Sequence, residues 1–204
     1  MSLAEFQRAF ADLISTPQRS VMLRDKEGDV LAGYDITPRE RQRLKVMVRH
    51  EAMSVNCSLY RVNRLIPVYS VLPHTCRLLG NRLLKELDAF WAASRHATLQ
   101  YRWEARRFGD WLRQRISTGL LPGGPVEDAI QLELAIYDTQ VAPRTDKTAD
   151  GVASGRWKIV YLRYDPDTLL DPAIRPSALE PLPKNVAVLV DATGEQMVVC
   201  RVLP

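Results

Sequence analysis

The sequence has few cysteines and no long apolar run. Its three cysteines, Cys57, Cys76 and Cys200, are scattered and odd in number, which argues against a disulfide framework and is typical of a reducing compartment. No apolar run approaches the roughly 20 residues that a membrane-spanning helix needs. The N-terminal MSLAEFQRAF has an early acidic residue and no continuous hydrophobic segment, unlike a signal peptide. We therefore expect a cytoplasmic protein that does not enter a membrane.

The sequence also lacks the residue patterns of metal sites and of common catalytic sites. Its three histidines, His50, His74 and His96, stand at no metal-ligand spacing, and no Cys-x-x-Cys accompanies them. There is no Gly-x-Ser-x-Gly motif, and the glycines lack the Lys-Ser/Thr of a phosphate-binding loop. The acidic residues Glu127, Asp128 and Glu133 are interpreted as charges that complement a helix dipole. We accordingly predict no catalytic residue, no metal ligand and no cofactor in this chain.

Apolar residues recur at helical spacing through residues 1–140, which predicts a bundle of helices. Thr37, Pro38 and Glu40 have the spacing of a capping box with proline at the first helical position, so a helix is expected to begin there. The segment 17–36 has no such pattern and is interpreted as an irregular connection.

The stretch SLYRVNRLIPVYSVLPHTCRLLG, residues 58–80, continues the helical pattern. Pro67 removes a backbone donor inside it, so we expect a kink or a break there. Gly80 has the character of a helix stop. The buried face of this helix is predicted to carry Leu59, Val62, Ile66, Tyr69 and Leu72.

The composition changes after residue 140. Residues 141–155 are polar and without period, and we interpret them as a linker or mobile loop. Residues 156–165, 185–192 and 195–203 are rich in β-branched and aromatic residues, and the last two are expected to form a β-hairpin. The sequence thus predicts an α+β fold, in which an N-terminal all-α bundle (1–140) precedes a small antiparallel sheet of about three strands (156–204).

The positive charge is unevenly distributed. The chain has a net charge of +4, and residues 141–204 hold eight basic and eight acidic residues, so the whole excess lies in the first part. Basic residues cluster in 37–50 and in 102–115, where Trp103 and Trp111 are interleaved, which makes a nucleic-acid-binding module the alternative function. Two amphipathic helices with solvated outer faces explain the same pattern, and we favour that interpretation over nucleic acid as a partner.

An ordered set of short motifs resembles the HvfC-like family of accessory proteins. Members of this family are partners of iron-containing, barrel-shaped oxygenases that modify cysteines in ribosomally made peptides. The similar stretch spans roughly residues 3–138. In chain order the motifs are LAEFQRAFADLI, Tyr60-Arg61-x-Asn63, Leu72-Pro73, Leu78-Leu79-Gly80, Leu84, Leu87, Phe90-Trp91, Phe108 to Leu112, and Leu132-Glu133 with Ala135.

This resemblance implies a subunit that is not an enzyme on its own but is required by one. The compact length and the short β tail are most similar to the family members of methanobactin biosynthesis, the pathway to a copper chelator. Those members form a heterodimer with an MbnB-like iron enzyme and help to bind the leader of the precursor peptide. The complex uses dioxygen to convert a precursor cysteine to an oxazolone with an adjacent thioamide. Iron would then belong to the partner subunit and not to this chain.

Two candidate binding sites follow. The helical bundle is expected to dock the catalytic partner, and the sheet is expected to hold the leader, because a strand edge binds an extended peptide through its backbone. Residues 60–64 include a polar turn of the predicted helix. For this polar turn there is an alternative, in which Arg61 and Asn63 only tie helices together. The partner-interface candidates are Tyr60, Arg61, Asn63 and Arg64. The leader-strand candidates are Trp157, Lys158, Ile159, Val160 and Tyr161 on one edge, or Val198, Val199, Cys200 and Arg201 on the other.

Overall fold

The structure is a computed structural model that describes residues 3–94, 101–141, 157–191 and 199–202. Its α-helices are α1 (Leu3–Ser15), α2 (Pro17–Asp25), α3 (Pro38–Met47), α4 (Glu51–Val71), α5 (Pro73–Leu79), α6 (Leu83–Ala93), α7 (Tyr101–Ser117), α8 (Pro125–Val141) and α9 (Pro166–Leu170). The strands are β1 (Trp157–Leu162), β2 (Val186–Asp191) and β3 (Val199–Val202). The predicted fold class is confirmed, since helices come first and a small antiparallel sheet lies near the C-terminus. None of the helices described has both the length and the apolar character needed to span a bilayer.

The chain divides into two compact units. The first unit contains residues 1–66 and 91–99, and the second contains residues 67–90 and 100–204. The boundary falls inside helix α4, at Pro67.

The domain organisation expected from the sequence stays a prediction. It placed a helical domain at 1–140, a linker at 141–155 and a β subdomain at 156–204. The compact units group the chain differently, because the sheet packs against α8 and belongs with it to the second unit. Most of the expected linker, from residue 142 onward, lies outside the described residues.

The core of the first unit is formed by α1 to α4 and the loop that precedes α3. The predicted start of α3 is confirmed, because the Thr37 side chain accepts a hydrogen bond from the Glu40 backbone N–H and the Glu40 carboxylate accepts one from the Thr37 backbone. The core side chains are Ala9, Leu13, Leu23, Leu31, Tyr34, Leu44, Val48, Met53 and Cys57.

Helix α2 lies where the sequence predicted only an irregular connection over 17–36. Pro17 occupies its first turn, and Lys26, in the left-handed conformation, ends it. The prediction was wrong because Val21, Met22 and Leu23 are consecutive and give no amphipathic pattern.

Helix α4 buries a different face from the one expected. It continues through Pro67 to Val71, so the proline does not end it. The side chains predicted to form its core face are exposed, apart from Leu72, which follows the helix: they are Leu59, Val62, Ile66 and Tyr69. Its buried side chains are Met53, Cys57, Arg64, Pro67, Val68 and Val71. Apolar residues occur at helical spacing on both faces, and periodicity alone does not tell which face meets a neighbour.

The second unit is organised around α8 and the sheet. The strand order is β1-β2-β3, and both pairs are antiparallel, as expected for the last two strands. In the register of the first pair, Trp157 lies opposite Asp191 and Leu162 lies opposite Val186. The core between α8, α9 and the sheet consists of Ala129, Leu132, Ala135, Val160, Leu162, Leu169, Val188 and Val190.

Helices α7 and α8 approach each other closely at Gly109. A Cβ atom at this position would lie 3.2 Å from Ile130 Cγ2 and 3.2 Å from Leu134 Cδ1. Glycine inside a helix costs about 0.5–1 kcal/mol relative to alanine, so the close approach explains why a residue without a side chain stands there.

We expect Gly109→Val to lower the free energy of unfolding by about 1–3 kcal/mol, because its methyl groups overpack this contact. The control is Gly33→Val, where an added Cβ has no atom within 4 Å and the expected change is within about 0.5 kcal/mol. Denaturant unfolding followed by circular dichroism measures both. Equal effects of the two substitutions would contradict the packing argument.

Candidate functional site

Strand β1 forms one edge of the sheet and has two different faces. Val160 and Leu162 point to α8 and are buried in the core, and Lys158 Nζ lies 2.5 Å from Asp138 Oδ2 of α8. Trp157, Ile159 and Tyr161 alternate with them and are 43–64% exposed. Because successive side chains of a strand point to opposite faces, these three lie together on the face turned away from α8.

The remaining leader-strand candidates belong to the other edge of the sheet. Val199, Cys200 and Arg201 are part of β3, whose backbone pairs with β2 from Val188 to Asp191. Val198 lies outside the described residues. Both candidate edges are thus sheet edges among the strands described, and only for β1 does the structure also describe the side chains.

The four partner-interface candidates on α4 do not share one environment. Arg64 is buried, with 2% exposure, and its Nη2 donates a hydrogen bond to the Ser94 carbonyl oxygen over 3.2 Å. The guanidinium carbons of Arg61 and Arg64 both lie 5.4 Å from the centroid of the Trp91 ring. Tyr60 is half-buried, and Asn63 is exposed. For the arginines these contacts favour the alternative in which the turn ties helices together, here within the first unit.

The exposed apolar residues of α4 in the first unit form a stripe, and three of them, Leu59, Val62 and Ile66, were predicted from the sequence to be buried. We call Val55, Leu59, Val62 and Ile66 the α4 stripe; they follow one another at intervals of four, three and four residues and are 41–55% exposed. This spacing is the a/d pattern of helices that pack in a coiled coil. Because the buried face of α4 has similar spacing, the sequence held no signal that separated this stripe from a core face.

A basic cleft of about 440 Å³ lies in the first unit between α2, the α3–α4 turn and α4. Its lining includes three arginines, Arg24, Arg49 and Arg61, and one acidic residue, Glu51. Arg24 Nε also lies 3.0 Å from Asp25 Oδ1, so the positive charge of the cleft comes mainly from Arg49 and Arg61. Its apolar floor is Val48, Met53 and Cys57, which are all buried. His50, at its edge, accepts a hydrogen bond at Nδ1 from the Ala52 backbone N–H and so supports the start of α4.

A buried carboxylate of α8 holds the start of α5. Glu133 Oε1 accepts a hydrogen bond from the His74 backbone N–H over 2.6 Å, and Oε2 accepts two from Thr75, from the backbone over 2.9 Å and from the hydroxyl over 2.6 Å. Burial raises the pKa of Glu133 to about 7, although these bonds and Arg77 act in the opposite direction. Burial also raises the pKa of the Cys76 thiol to about 12. Both carboxylate oxygens are occupied, so Glu133 has a structural role that its interpretation as a helix-dipole charge missed.

Several arginines of the alternative nucleic-acid surface are engaged in ion pairs. Arg106 lies 2.5 Å from Asp138, and Arg115 lies 3.0 Å from the buried carboxylate of Glu86. On α3, Arg41 lies 2.8 Å from Asp29. Their charges are therefore partly neutralised within the protein.

The described residues contain no group of three or more His, Cys, Asp or Glu side chains arranged as metal ligands. His96 lies outside them. Comparison of the chain with protein-family models, with curated proteins and with solved structures found no match in any of the three.

The stability contributed by Glu133 is expected to depend on pH. Between its ordinary pKa of 4.5 and about 7, the folded chain holds a proton that the unfolded chain has released, so this contribution falls as the pH rises through that window. Glu133→Gln cannot titrate and should lose this dependence. The neighbouring His74, whose pKa burial and Arg77 lower, is present in both proteins and serves as an internal control.

The measurement is the free energy of unfolding of the two proteins from pH 4.5 to 7. We expect the wild type to lose stability relative to Glu133→Gln across this range. A difference between them that stays constant with pH would contradict the raised pKa.

Proposed function

We propose that this chain is the non-catalytic partner subunit of an MbnB-like, iron-dependent oxygenase, a role similar to that of MbnC. The catalytic subunit would hold the iron and convert precursor-peptide cysteines to oxazolone and thioamide groups. This chain would bind that subunit and help to recognise the precursor leader, in the cytoplasm. The proposal joins the ordered motifs described above with one structural observation, the edge strand β1 and its exposed outer face.

Strand β1 has the properties that an extended peptide needs. A peptide that adds to a sheet edge gains main-chain hydrogen bonds, and alternate side chains of the strand beside it give specificity. Trp157, Ile159 and Tyr161 supply an apolar face next to the edge. The inner face of β1 already packs on α8 through the buried Val160 and Leu162. A leader can therefore bind at the β1 edge without refolding the sheet.

The β1 edge is favoured over β3 for a physical reason. Large aromatic side chains contribute much of the binding free energy at interfaces, since each removes a large area from water. Two of the three outward side chains of β1 are aromatic, and they are 45% (Trp157) and 64% (Tyr161) exposed to solvent. We therefore place the leader along β1.

The first experiment asks whether the complex exists. The chain is co-expressed with the MbnB-like iron enzyme, and the purified product is examined for stoichiometry and iron content. A one-to-one complex that contains iron is expected. Two separately eluting proteins would contradict the proposal, and nucleic-acid affinity that falls steeply with salt would support the alternative function instead.

We expect Ile159→Glu and Tyr161→Ala each to weaken leader binding about tenfold, which corresponds to about 1.4 kcal/mol. Fluorescence anisotropy of a labelled leader peptide, titrated with the complex, measures the dissociation constant. Leu84→Glu, at an exposed apolar position of helix α6 and not in a sheet strand, is the matched control and should leave the dissociation constant unchanged. Unaltered leader affinity in both β1 variants would exclude this strand.

A further inference from the structure

The α4 stripe is an exposed helix face with the pattern of a helix–helix contact. Its four side chains, Val55, Leu59, Val62 and Ile66, form one row along the longest helix described. In coiled coils, a row of apolar residues at alternating three- and four-residue intervals meets a second helix whose side chains interdigitate with it. Contiguous exposed apolar surface on a folded domain marks a binding site for another molecule.

The basic cleft runs along one flank of this stripe. Ser54, Ser58 and Arg61 line the cleft, and each stands one position before a stripe residue, so the cleft lies about 100° around the helix from the stripe. Arg49 borders the same cleft from the α3–α4 turn, is exposed, and makes no ion pair among the residues described. A molecule seated on the stripe therefore faces positive charge on that one side.

The opposite flank of the stripe differs from the cleft side. Asn56 and Asn63 each follow a stripe residue by one position, and both are exposed and uncharged. The surface thus has an apolar centre, a basic side and a neutral polar side. This asymmetry sets both the chemistry and the orientation of what binds.

We propose that the α4 stripe and the basic cleft together dock an amphipathic helix of the catalytic partner, with apolar residues at three- and four-residue intervals and acidic residues along the flank that faces the cleft. This inference rests on the proposed function and specifies the surface that carries the heterodimer. It replaces the polar turn as the centre of the interface, since Arg64 is buried. The arginines select the acidic flank and thereby fix the direction of the helix, because electrostatic complementarity sets register and specificity.

A second copy of this chain is a poorer occupant of the surface. Glu51 is the only acidic residue of α4, so a second α4 would bring no acidic flank to Arg49 and Arg61. The positive charge of the cleft is complementary to an acidic helix and not to a second copy of α4.

The test compares paired variants in the co-purified complex. Leu59→Asp removes apolar contact at the centre of the stripe, and Arg49→Glu reverses the charge of the cleft. The controls are Leu84→Asp, an exposed leucine of α6, and Arg39→Glu, an exposed arginine of α3 outside the cleft lining. All four substituted positions are exposed, and circular dichroism verifies that each variant is folded.

Biolayer interferometry with immobilised iron enzyme measures the affinity at low and high salt. We expect Leu59→Asp to weaken binding at least about tenfold at both salt concentrations. Arg49→Glu should weaken binding several-fold at low salt, mainly through a slower association rate, and less at high salt, because salt screens the interaction. Both controls should bind like the wild type.

The outcomes separate the two proposals. If the wild-type chain binds the iron enzyme and the stripe and cleft variants bind equally well, the docking surface is wrong and the proposed function stands. If the wild-type chain does not bind, both are overturned. If light scattering shows a wild-type homodimer that Leu59→Asp dissolves, the occupant is a second copy and the inference is overturned.

A photo-cross-link identifies the occupant directly. Leu59 is replaced with p-benzoylphenylalanine in the complex, and the cross-linked segment of the iron enzyme is mapped by mass spectrometry. An amphipathic helical segment with acidic residues on one flank is expected. A cross-link to an extended or a basic segment would overturn the proposed occupant.

Discussion

The second unit depends on two buried carboxylates of one helix, which accept hydrogen bonds from backbone N–H groups of two other elements. On α8, Glu133 accepts the hydrogen bonds of the first N–H groups of α5, and Asp128 accepts those of the Arg163 and Tyr164 backbones, just after β1. Burial of these acids costs free energy unless they are hydrogen-bonded. Because the bonds are made, α8 fixes both where α5 begins and where β1 ends. The outward side of β1 follows from this, since one face of the strand is committed to α8.

Local signals in the sequence predict local structure well. The capping box at Thr37 and the helix stop at Gly80 depend only on neighbours in the chain, and both are present. The strands were identified from β-branched and aromatic composition, and their antiparallel pairing agrees with the structure. Helix α2 was missed because its start signal, Pro17, is followed by apolar residues without period. In each case the outcome follows from what a few consecutive residues encode.

The candidate binding surfaces depend on long-range packing, which the sequence does not reveal in the same way. Leu59 and Met53 are both apolar and both on α4, yet only Met53 is buried. Which face becomes core is decided by α1 to α3, which pack on the Met53 side. Arg64 shows the converse, since a charged side chain is buried against Trp91 and the Ser94 carbonyl. Residue type therefore pointed to α4 and β1 as candidate elements, but not to the side chains on them that face outward.

The exposed apolar residues of α4 and of β1 both have polar or charged neighbours. Interfaces are typically apolar at the centre and polar at the rim. On α4, Asn56, Asn63 and Ser58 flank the stripe. On β1, Lys158 bonds to Asp138 beneath the strand, and charged residues on an edge strand disfavour unselective pairing. The α4 stripe belongs to the first unit and β1 to the second. A substitution in one surface is therefore expected to leave the core beneath the other intact, so the proposed helix docking and the proposed peptide binding can be tested separately.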